Sequence, residues 1–481
     1  MNDNLNSKAV SSLFWKLLER GGTQGIQFII QIFLARLLSP DDYGVIALIT
    51  VFIALANVFV QSGFNTALIQ KQNADEEDFS SVFYVSLLVA SILYMILFIT
   101  APLIANFYNI QELINIIRVL SLTLFLGAFN SIQNAIVSRK MAFKNLFYSS
   151  LGAIIVSGII GIILAYKGFG VWTLVYQQLV NQFSICLILW FRVKWRPQRL
   201  FSFQRVKDLF SFGGKLLLSA LIDTGYREMT NLIVGKIYTP AMLGYYNRGN
   251  QFPNLIVSNL NGSIQSVIFP VLASVQDDKR KIKDIMRRAI VTSSYIVFPA
   301  MIGLIVIAEP MIRLILTEKW LPCVPYLRLF CLVYALWPIH TANLQAINAI
   351  GRSDIFLKLE IIKKIVGVNI IIITSRVSPL MMALGMVGSG VISSFINSYP
   401  NKKLLDYSYF EQMKDILPSV ILSIIMGFVT YSVIFLGLSD LITIILQIIV
   451  GGITYILLSY IVKLECFIYL LNIVLKRKRR K

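Results

Sequence analysis

The hydropathy pattern of this chain is a series of long apolar runs separated by short polar segments. Apolar runs of about 17–25 residues are long enough to cross a lipid bilayer as α-helices. Their positions predict fourteen spans, at residues 13–36, 44–69, 80–106, 113–137, 147–166, 170–191, 209–236, 243–273, 289–316, 323–350, 355–375, 380–399, 416–436 and 441–461. The predicted fold class is therefore an all-α polytopic membrane protein with about 14 transmembrane helices.

Some of these spans are not uniform. Polar groups interrupt the second and the eighth span, so either helix is expected to be broken or tilted. Pro338 lies inside the tenth span, where a proline removes a backbone hydrogen bond and is expected to kink the helix. The single histidine, His340, follows it. We expect an interhelical hydrogen bond from this histidine, with a protonation switch as the alternative.

An internal repeat relates the two halves of the chain. A shift of 200 residues places Pro40 on Pro240 and Gly44 on Gly244. If each copy holds six spans, both copies enter the membrane in the same direction, as in transporters built from parallel repeats. The predicted parts are an N-terminal six-helix lobe with a basic cytoplasmic linker (1–208), a C-terminal six-helix lobe (209–400), and two extra helices with a basic cytoplasmic tail (401–481).

The charge distribution predicts the orientation. The net charge is +20, yet the predicted outer loops contain only five of the 44 lysines and arginines. These are Arg36, Lys167, Lys236, Lys319 and Arg376. The positive-inside rule therefore places both termini in the cytoplasm. The basic segments 192–208, 276–288 and 476–481 are expected to lie on anionic inner-leaflet lipids, and nucleic acid is not an expected partner.

The sequence offers little support for catalysis. No predicted loop exceeds about 17 residues, which leaves no room for a separate catalytic domain. The chain has no GxxxxGK[ST], GxSxG or HExxH motif, and its four cysteines show no CxxC spacing. We therefore expect no catalytic residue, no metal site and no cofactor.

Charged residues inside the spans are the main candidates for function, because each costs roughly 2.5–3.5 kcal/mol to insert in a membrane. Basic residues outnumber acidic ones there, and several arginines have no obvious carboxylate of their own. These are Arg20, Arg118, Arg227, Arg248 and Arg328. Arginine binds phosphate groups bidentately, so such a set is suited to a phosphate or pyrophosphate. Neighbouring residues that could contact sugar are Tyr226, Tyr245, Asn247 and Gln251.

Three segments carry a family resemblance: FLARLLSPDDYGVIAL (33–48), FVQSGFNTALIQKQ (59–72) and MLGYYNRGNQFPNLI (242–256). They resemble the Wzx-type oligosaccharide flippases and polysaccharide exporters, in the branch of colanic-acid and teichuronic-acid exporters. The resemblance covers nearly the whole chain. It departs slightly from the family pattern at Asp41 and Asp42, which are both acidic.

The resemblance implies a protein of the multidrug/oligosaccharidyl-lipid/polysaccharide (MOP) superfamily, in the bacterial inner membrane, with two six-helix lobes around a V-shaped cavity. The implied substrate is an undecaprenyl-diphosphate-linked oligosaccharide, flipped for surface polysaccharide synthesis, with polysaccharide polymerase machinery as a possible partner and a monomer as the expected state. By this resemblance, the residues expected to bind the diphosphate are Arg20, Lys215, Arg227 and Arg248. Asp223 and Glu228 are candidates for coupling to an ion gradient.

Two other functions compete with a flippase. A multidrug or cation antiporter of the same superfamily would need unpaired membrane carboxylates, whereas most acids in the spans have a basic neighbour. An integral-membrane glycan polymerase or ligase would need a long extracytoplasmic loop or a catalytic constellation.

Overall fold

The computed structural model describes residues 15, 18–61, 63–468 and 471, without the side chains of residues 20, 212, 263, 264, 266 and 267. Within this part of the chain the secondary structure is helical, with no strand. Lys16 and the basic tail at 476–481 lie outside the described residues. The chain divides into two compact units, Met1–Gly244 and Tyr245–Lys481.

The first unit begins with a π-helical turn, Leu18–Gly22. Its α-helices are α1 (Thr23–Leu37), α2 (Pro40–Gln61), α3 (Phe64–Gln70), α4 (Glu76–Tyr108), α5 (Leu113–Leu120), α6 (Thr123–Arg139), α7 (Phe143–Tyr166), α8 (Val171–Val193) and α9 (Phe203–Ile237).

The next helix, α10 (Pro240–Ala273), begins in the first unit and continues into the second. The second unit also contains α11 (Lys279–Leu316), α12 (Val324–Ala335), α13 (Trp337–Ala349), α14 (Ser353–Ser375), α15 (Pro379–Leu405), α16 (Tyr409–Tyr431) and α17 (Asp440–Ile461). Short 3₁₀ helices lie at Glu318–Cys323 and Ser432–Leu436.

Over its described residues, each predicted span coincides with one helix or with two consecutive helices, which confirms an all-α membrane protein. Ten helical segments of the described chain are long and apolar enough to cross a membrane. The first, seventh, eighth and eleventh predicted spans are not among them. The number fourteen therefore stays a prediction.

The expected helix breaks are confirmed at two of three places. The second span breaks at Gly63, whose φ of +79° favours glycine, and continues as α3. The tenth span breaks between Ala335 and Trp337, just before Pro338. The eighth span, in contrast, is one continuous helix through Pro253 and Pro270.

At the start of α2, Asp42 has a structural role; it is one of the two acidic residues that depart from the family pattern. The carboxylate of Asp42 accepts hydrogen bonds from the backbone N–H (2.8 Å) and the hydroxyl (2.7 Å) of Ser39. The Ser39 hydroxyl accepts in turn from the Asp42 backbone N–H (3.2 Å). This reciprocal arrangement satisfies helix N-terminal donors, and a carboxylate there also favours the helix dipole.

The repeat-related turns pack on each other within the first unit. A Cβ added to Gly44 would overlap the backbone carbonyl of Pro240, and a Cβ added to Gly244 would overlap that of Pro40. Only glycine permits so close an approach of two backbones. Residues that the repeat relates in the sequence therefore also make equivalent contacts with each other in the structure.

Basic segments at the helix starts bind protein groups rather than forming separate helices. Residues 194–202 are irregular and run along the start of α4. Trp195 donates its indole N–H to Glu76 (2.7 Å), and the backbone N–H of Ser202 donates to the Ser81 hydroxyl (2.9 Å). The other segment, 276–288, is largely the first turns of α11, capped by Asp278. Neither segment forms a helix of its own, and their expected contact with anionic lipids stays a prediction.

In the second unit, the last two helices pack on α11. The shared apolar cluster joins Tyr295 on α11 with Leu422 and Met426 on α16 and Tyr455 on α17. A Cβ at Gly427 would lie 2.6 Å from the Ile302 side chain, so a small residue allows α16 to approach α11 closely.

Candidate functional site

The helix α9 carries an exposed charged face. Arg227 and Asp223 are 65% and 55% exposed, and their side chains form an ion pair of 3.6 Å one helical turn apart. Lys215 is also exposed on this helix. Because hydrocarbon does not solvate charges, exposed charges in a membrane protein are expected to face water or a polar ligand. Lys215, Asp223 and Arg227 are therefore accessible.

Other predicted residues on α9 have neighbours in the same helix. Glu228 accepts a hydrogen bond from the Asn231 amide (2.8 Å). Arg227 also contacts the hydroxyl of Thr224, 3.4 Å away. Tyr226 is half-buried. The carboxylates proposed for coupling, Asp223 and Glu228, thus each contact a polar group on their own helix.

Arg248 has a different environment. It is 5% exposed, and its guanidinium lies 5.0 Å from the centre of the Trp320 ring, within the range of a cation–π interaction. It also donates a hydrogen bond to Gln251 (2.5 Å). Tyr245 packs edge-on against the same Trp320 ring, with 6.1 Å between ring centres. Three predicted site residues are therefore gathered around a tryptophan that sequence reasoning missed.

One feature of the sequence could have identified Trp320 as a site residue. It follows Lys319 in a predicted outer loop, and tryptophan is enriched at membrane interfaces. Asn247, beside Arg248 in the sequence, has a buried amide nitrogen with no hydrogen-bond partner among the described residues. An unsatisfied buried donor of this kind calls for a water or a ligand.

Arg118 and Arg328 have local contacts that the repeat shares. Arg118 donates from Nε to the backbone carbonyl of Phe98 (3.4 Å) and lies 4.2 Å from the centre of its ring. Phe98 is four residues before Pro102, so its carbonyl lacks the usual helical donor. Arg328 donates from Nε to the carbonyl of Ile305 (3.3 Å) on the corresponding helix of the second copy. Its guanidinium also lies 3.9 Å from the carboxylate of Glu309 on that helix, so the expectation that Arg328 has no carboxylate of its own is wrong. Both arginines thus stabilise a neighbouring helix.

Arg20 belongs to the π-helical turn before α1, and its side chain lies outside the described part of the structure. The five basic candidates whose side chains are described are therefore divided between exposed, buried and helix-bound positions. Their assignment to a single site stays a prediction.

Buried amides form a network in the second unit. The Asn397 amide lies 3.1 Å from the Nδ1 of His340, which confirms an interhelical hydrogen bond. Asn343 donates to Gln412 (2.8 Å) and accepts from Asn401 (2.7 Å), which joins α13, α15 and α16. Such networks hold membrane helices together where no hydrophobic force acts between them.

The first unit contains a smaller counterpart of this network. The shift of 210 residues that pairs Arg118 with Arg328 also pairs Asn130 with His340. The Asn130 amide contacts Gln182 on α8 at 3.4 Å. Polar contacts thus join the fourth and sixth predicted spans in the first unit and the tenth and twelfth in the second.

Known proteins resemble the chain in sequence and in fold. TuaB of Bacillus subtilis, a teichuronic acid biosynthesis protein, is 26% identical over 302 residues, which are 62% of each chain. WzxC of Escherichia coli, a lipopolysaccharide biosynthesis protein, is 23% identical over 418 residues, 86% of this chain and 83% of WzxC. The lipid II flippase MurJ in an inward closed conformation superimposes with a TM-score of 0.77 at 17% identity, over 93% of this chain and 98% of MurJ.

A family model described as polysaccharide biosynthesis protein matches residues 33–325. The matched region begins inside α1 and extends into α12, so it includes both copies of the turn with its proline and glycine. Because the match covers more than half of the sequence, the chain belongs to the polysaccharide biosynthesis protein family.

Proposed function

We propose that this protein is a flippase, which moves undecaprenyl-diphosphate-linked oligosaccharide repeat units from the cytoplasmic to the periplasmic leaflet by alternating access. The observation that supports this most is the exposed charged face of α9, with Lys215 and Arg227 on a helix within a membrane-protein bundle. Support also comes from the family and from the flippase fold of MurJ.

The chemistry of the substrate matches these residues. A diphosphate is costly to move through hydrocarbon, whereas its polyprenyl tail is soluble there. A guanidinium offers two parallel N–H donors to phosphate oxygens, and an ammonium adds a point charge. The weak ion pair of Arg227 with Asp223, at 3.6 Å, can be exchanged for phosphate contacts.

The proposal extends to location and partners. The protein would be a multi-pass protein of the bacterial inner membrane with both termini in the cytoplasm, as the basic loops favour. It would act as a monomer and without catalysis, and it would supply a polysaccharide polymerase on the periplasmic side.

A multidrug or cation antiporter remains the second candidate. Such a transporter needs carboxylates that are available to cations. Asp223 lies beside Arg227, and Glu228 accepts from Asn231. Both contacts compete with a cationic substrate, so they favour the flippase.

The test is transport of a lipid-linked oligosaccharide in proteoliposomes, together with complementation of a flippase-null strain. We expect Arg227→Ala to reduce the transport rate at least about tenfold, because a charge-assisted contact is worth about 1.5–3 kcal/mol. Arg227→Lys should retain part of the rate.

Lys207→Ala is the matched control, since Lys207 is also exposed on α9 but lies in its first turns. It should transport normally. Equal rates for Arg227→Ala and the native protein would contradict the assignment of Arg227. Cation efflux in a strain without glycan-synthesis genes would instead favour the antiporter.

A further inference from the structure

A pocket lies in the second unit. It has a volume of about 530 Å³ and is formed where α11 and α16 begin and where α17 has just ended. Ligand pockets typically measure about 300–1,000 Å³, so it is large enough for the head of a small amphiphile. The basic side chains in its wall are Lys283, Arg287, Lys414 and Lys463.

Each acidic residue in the pocket wall forms an ion pair or a hydrogen bond with another group of the protein. Asp415 binds Arg287 (3.1 Å) and accepts from the hydroxyl of Tyr407 (2.6 Å). Glu465 binds the same arginine at 3.0 Å. Glu411 caps α16 by accepting from the backbone N–H of Ser408 (2.7 Å).

These contacts form a rigid frame. Arg287 ties α11 to α16 and to the segment that follows α17. Tyr407 is 1% exposed, and burial, together with its hydrogen bond to Asp415, raises the pKa of its hydroxyl. It therefore stays a neutral donor. These contacts within the protein preform this wall of the pocket.

Two lysines of the pocket, in contrast, have side chains that bind no other described group of the protein. Within the described residues, the ammonium groups of Lys414 and Lys463 form no hydrogen bond or ion pair, and both side chains are exposed. Lys463 is held in the left-handed region, with φ of +54°, at the end of α17. The pocket therefore contains ion pairs within the protein and, beside them, the two ammonium groups of Lys414 and Lys463, which can bind an anion.

The remaining wall is apolar. Val291, Pro418, Val462 and Leu464 line the pocket beside the lysines. Beyond it, α16 and α17 present exposed apolar side chains, including Leu417 and Ile461, as helices in contact with acyl chains do. A phosphate at the lysines would thus have a path for attached chains along the helices.

We propose that this pocket binds the phosphate of an anionic glycerophospholipid, held by Lys414 and Lys463, with its acyl chains on the apolar faces of α16 and α17. Because all three helix ends lie at the basic side of the protein, the lipid would come from the cytoplasmic leaflet. Its effect would be to bind the last two helices to α11. The pocket shares no lining residue with the transport site proposed on α9.

The test is binding of dioleoyl phosphatidylglycerol to the purified full-length protein, followed by native mass spectrometry and by thermal stabilisation. Lys414→Gln with Lys463→Gln should weaken binding about tenfold or more, because each lysine near an anionic headgroup contributes about 1 kcal/mol, a factor of about five. The charge-conserving pair Lys414→Arg and Lys463→Arg should bind like the native protein.

Lys402→Gln with Lys403→Gln is the matched control. These exposed lysines lie in the last turn of α15, which ends just before α16 begins, and they do not line the pocket. The control should bind phosphatidylglycerol normally. If it loses as much binding as the pocket variant, the attraction is a general property of the basic surface and the proposal is wrong.

Two further binding measurements show whether the phosphate in the pocket belongs to an anionic lipid. Phosphatidylcholine should not replace phosphatidylglycerol, and millimolar inorganic phosphate should not displace it. Displacement by inorganic phosphate would show that the pocket takes a free anion, and equal binding of phosphatidylcholine would show that its charges are not used. Either result would overturn the assignment.

Discussion

In both helix pairs of the repeat, α1–α2 and α9–α10, a hydroxyl residue and a proline form the turn, at Ser39-Pro40 and Thr239-Pro240. Each pair then diverges. The helix α2 is an apolar candidate for a membrane span, whereas neither α9 nor α10 qualifies as one. The prolines and glycines of the two turns, which both copies share, lie where two backbones touch. The two turns are thus alike in packing, whereas the helices that flank them differ in polarity.

The largest effect is expected where the two copies touch. Gly44→Ala and Gly244→Ala each place a methyl group into a backbone carbonyl, of Pro240 and Pro40 respectively. Overpacking typically costs 1–3 kcal/mol, and we expect at least about 3 kcal/mol here because backbone cannot move aside as a side chain can. Thermal unfolding of the purified variants measures the loss.

Gly25 and Gly225 are matched controls, because they are also related by the repeat but an added Cβ meets no atom within 4 Å. Their alanine variants should be unchanged or more stable by up to about 1 kcal/mol, the difference in helix propensity. Similar losses at all four glycines would show that the reciprocal contact has no special role.

A medium effect is expected at the arginines of the second copy. Arg248→Leu removes the contact with Trp320 and leaves Gln251 without its donor, at a cost of about 2 kcal/mol of folding free energy. Arg227→Leu, at an exposed position, should change stability by less than about 0.5 kcal/mol.

Measuring stability and transport for both variants separates a structural role from a role in binding. If Arg248→Leu abolished transport with unchanged stability, Arg248 would take part in substrate binding, the role proposed for Arg227. If Arg227→Leu unfolded the protein, the exposed face of α9 would have a structural role instead.

The smallest effect is expected at the helix caps. Asp42→Ala removes the acceptor of two hydrogen bonds from Ser39 and should cost about 1 kcal/mol. In the second copy, the Thr239 hydroxyl accepts a longer bond of 3.4 Å from the backbone N–H of Met242. Thr239→Ala should therefore cost only a few tenths of that amount, and denaturation midpoints compare the two. Equal losses would contradict the difference in cap strength.

Much of the fold was predictable because membrane helices are defined by length and apolarity. The break before Pro338 followed from the missing N–H of proline, and the hydrogen bond of His340 followed from its burial in a span. The continuous helix through Pro253 was not predictable, since a proline can be accommodated where neighbouring groups satisfy the freed carbonyl.

The candidate site was predictable only as a set of residue types. A sequence places Arg118, Arg227 and Arg248 in spans, but it does not show which way each side chain points. Arg118 contacts the carbonyl of Phe98, Arg248 is buried beside Trp320, and Arg227 is exposed. The rotation of each helix about its axis decides these outcomes, and packing against neighbouring helices sets that rotation.

By itself, the sequence determined the class of the protein, the order of its helices and the presence of a repeat, because all three depend on local composition and spacing. It also aligned Pro40 with Pro240 and Gly44 with Gly244. Only the tertiary structure decided that Gly44 and Gly244 meet the opposite prolines, and that Lys414 and Lys463 share a pocket. Those contacts join residues distant along the chain, and they arise only when whole helices pack.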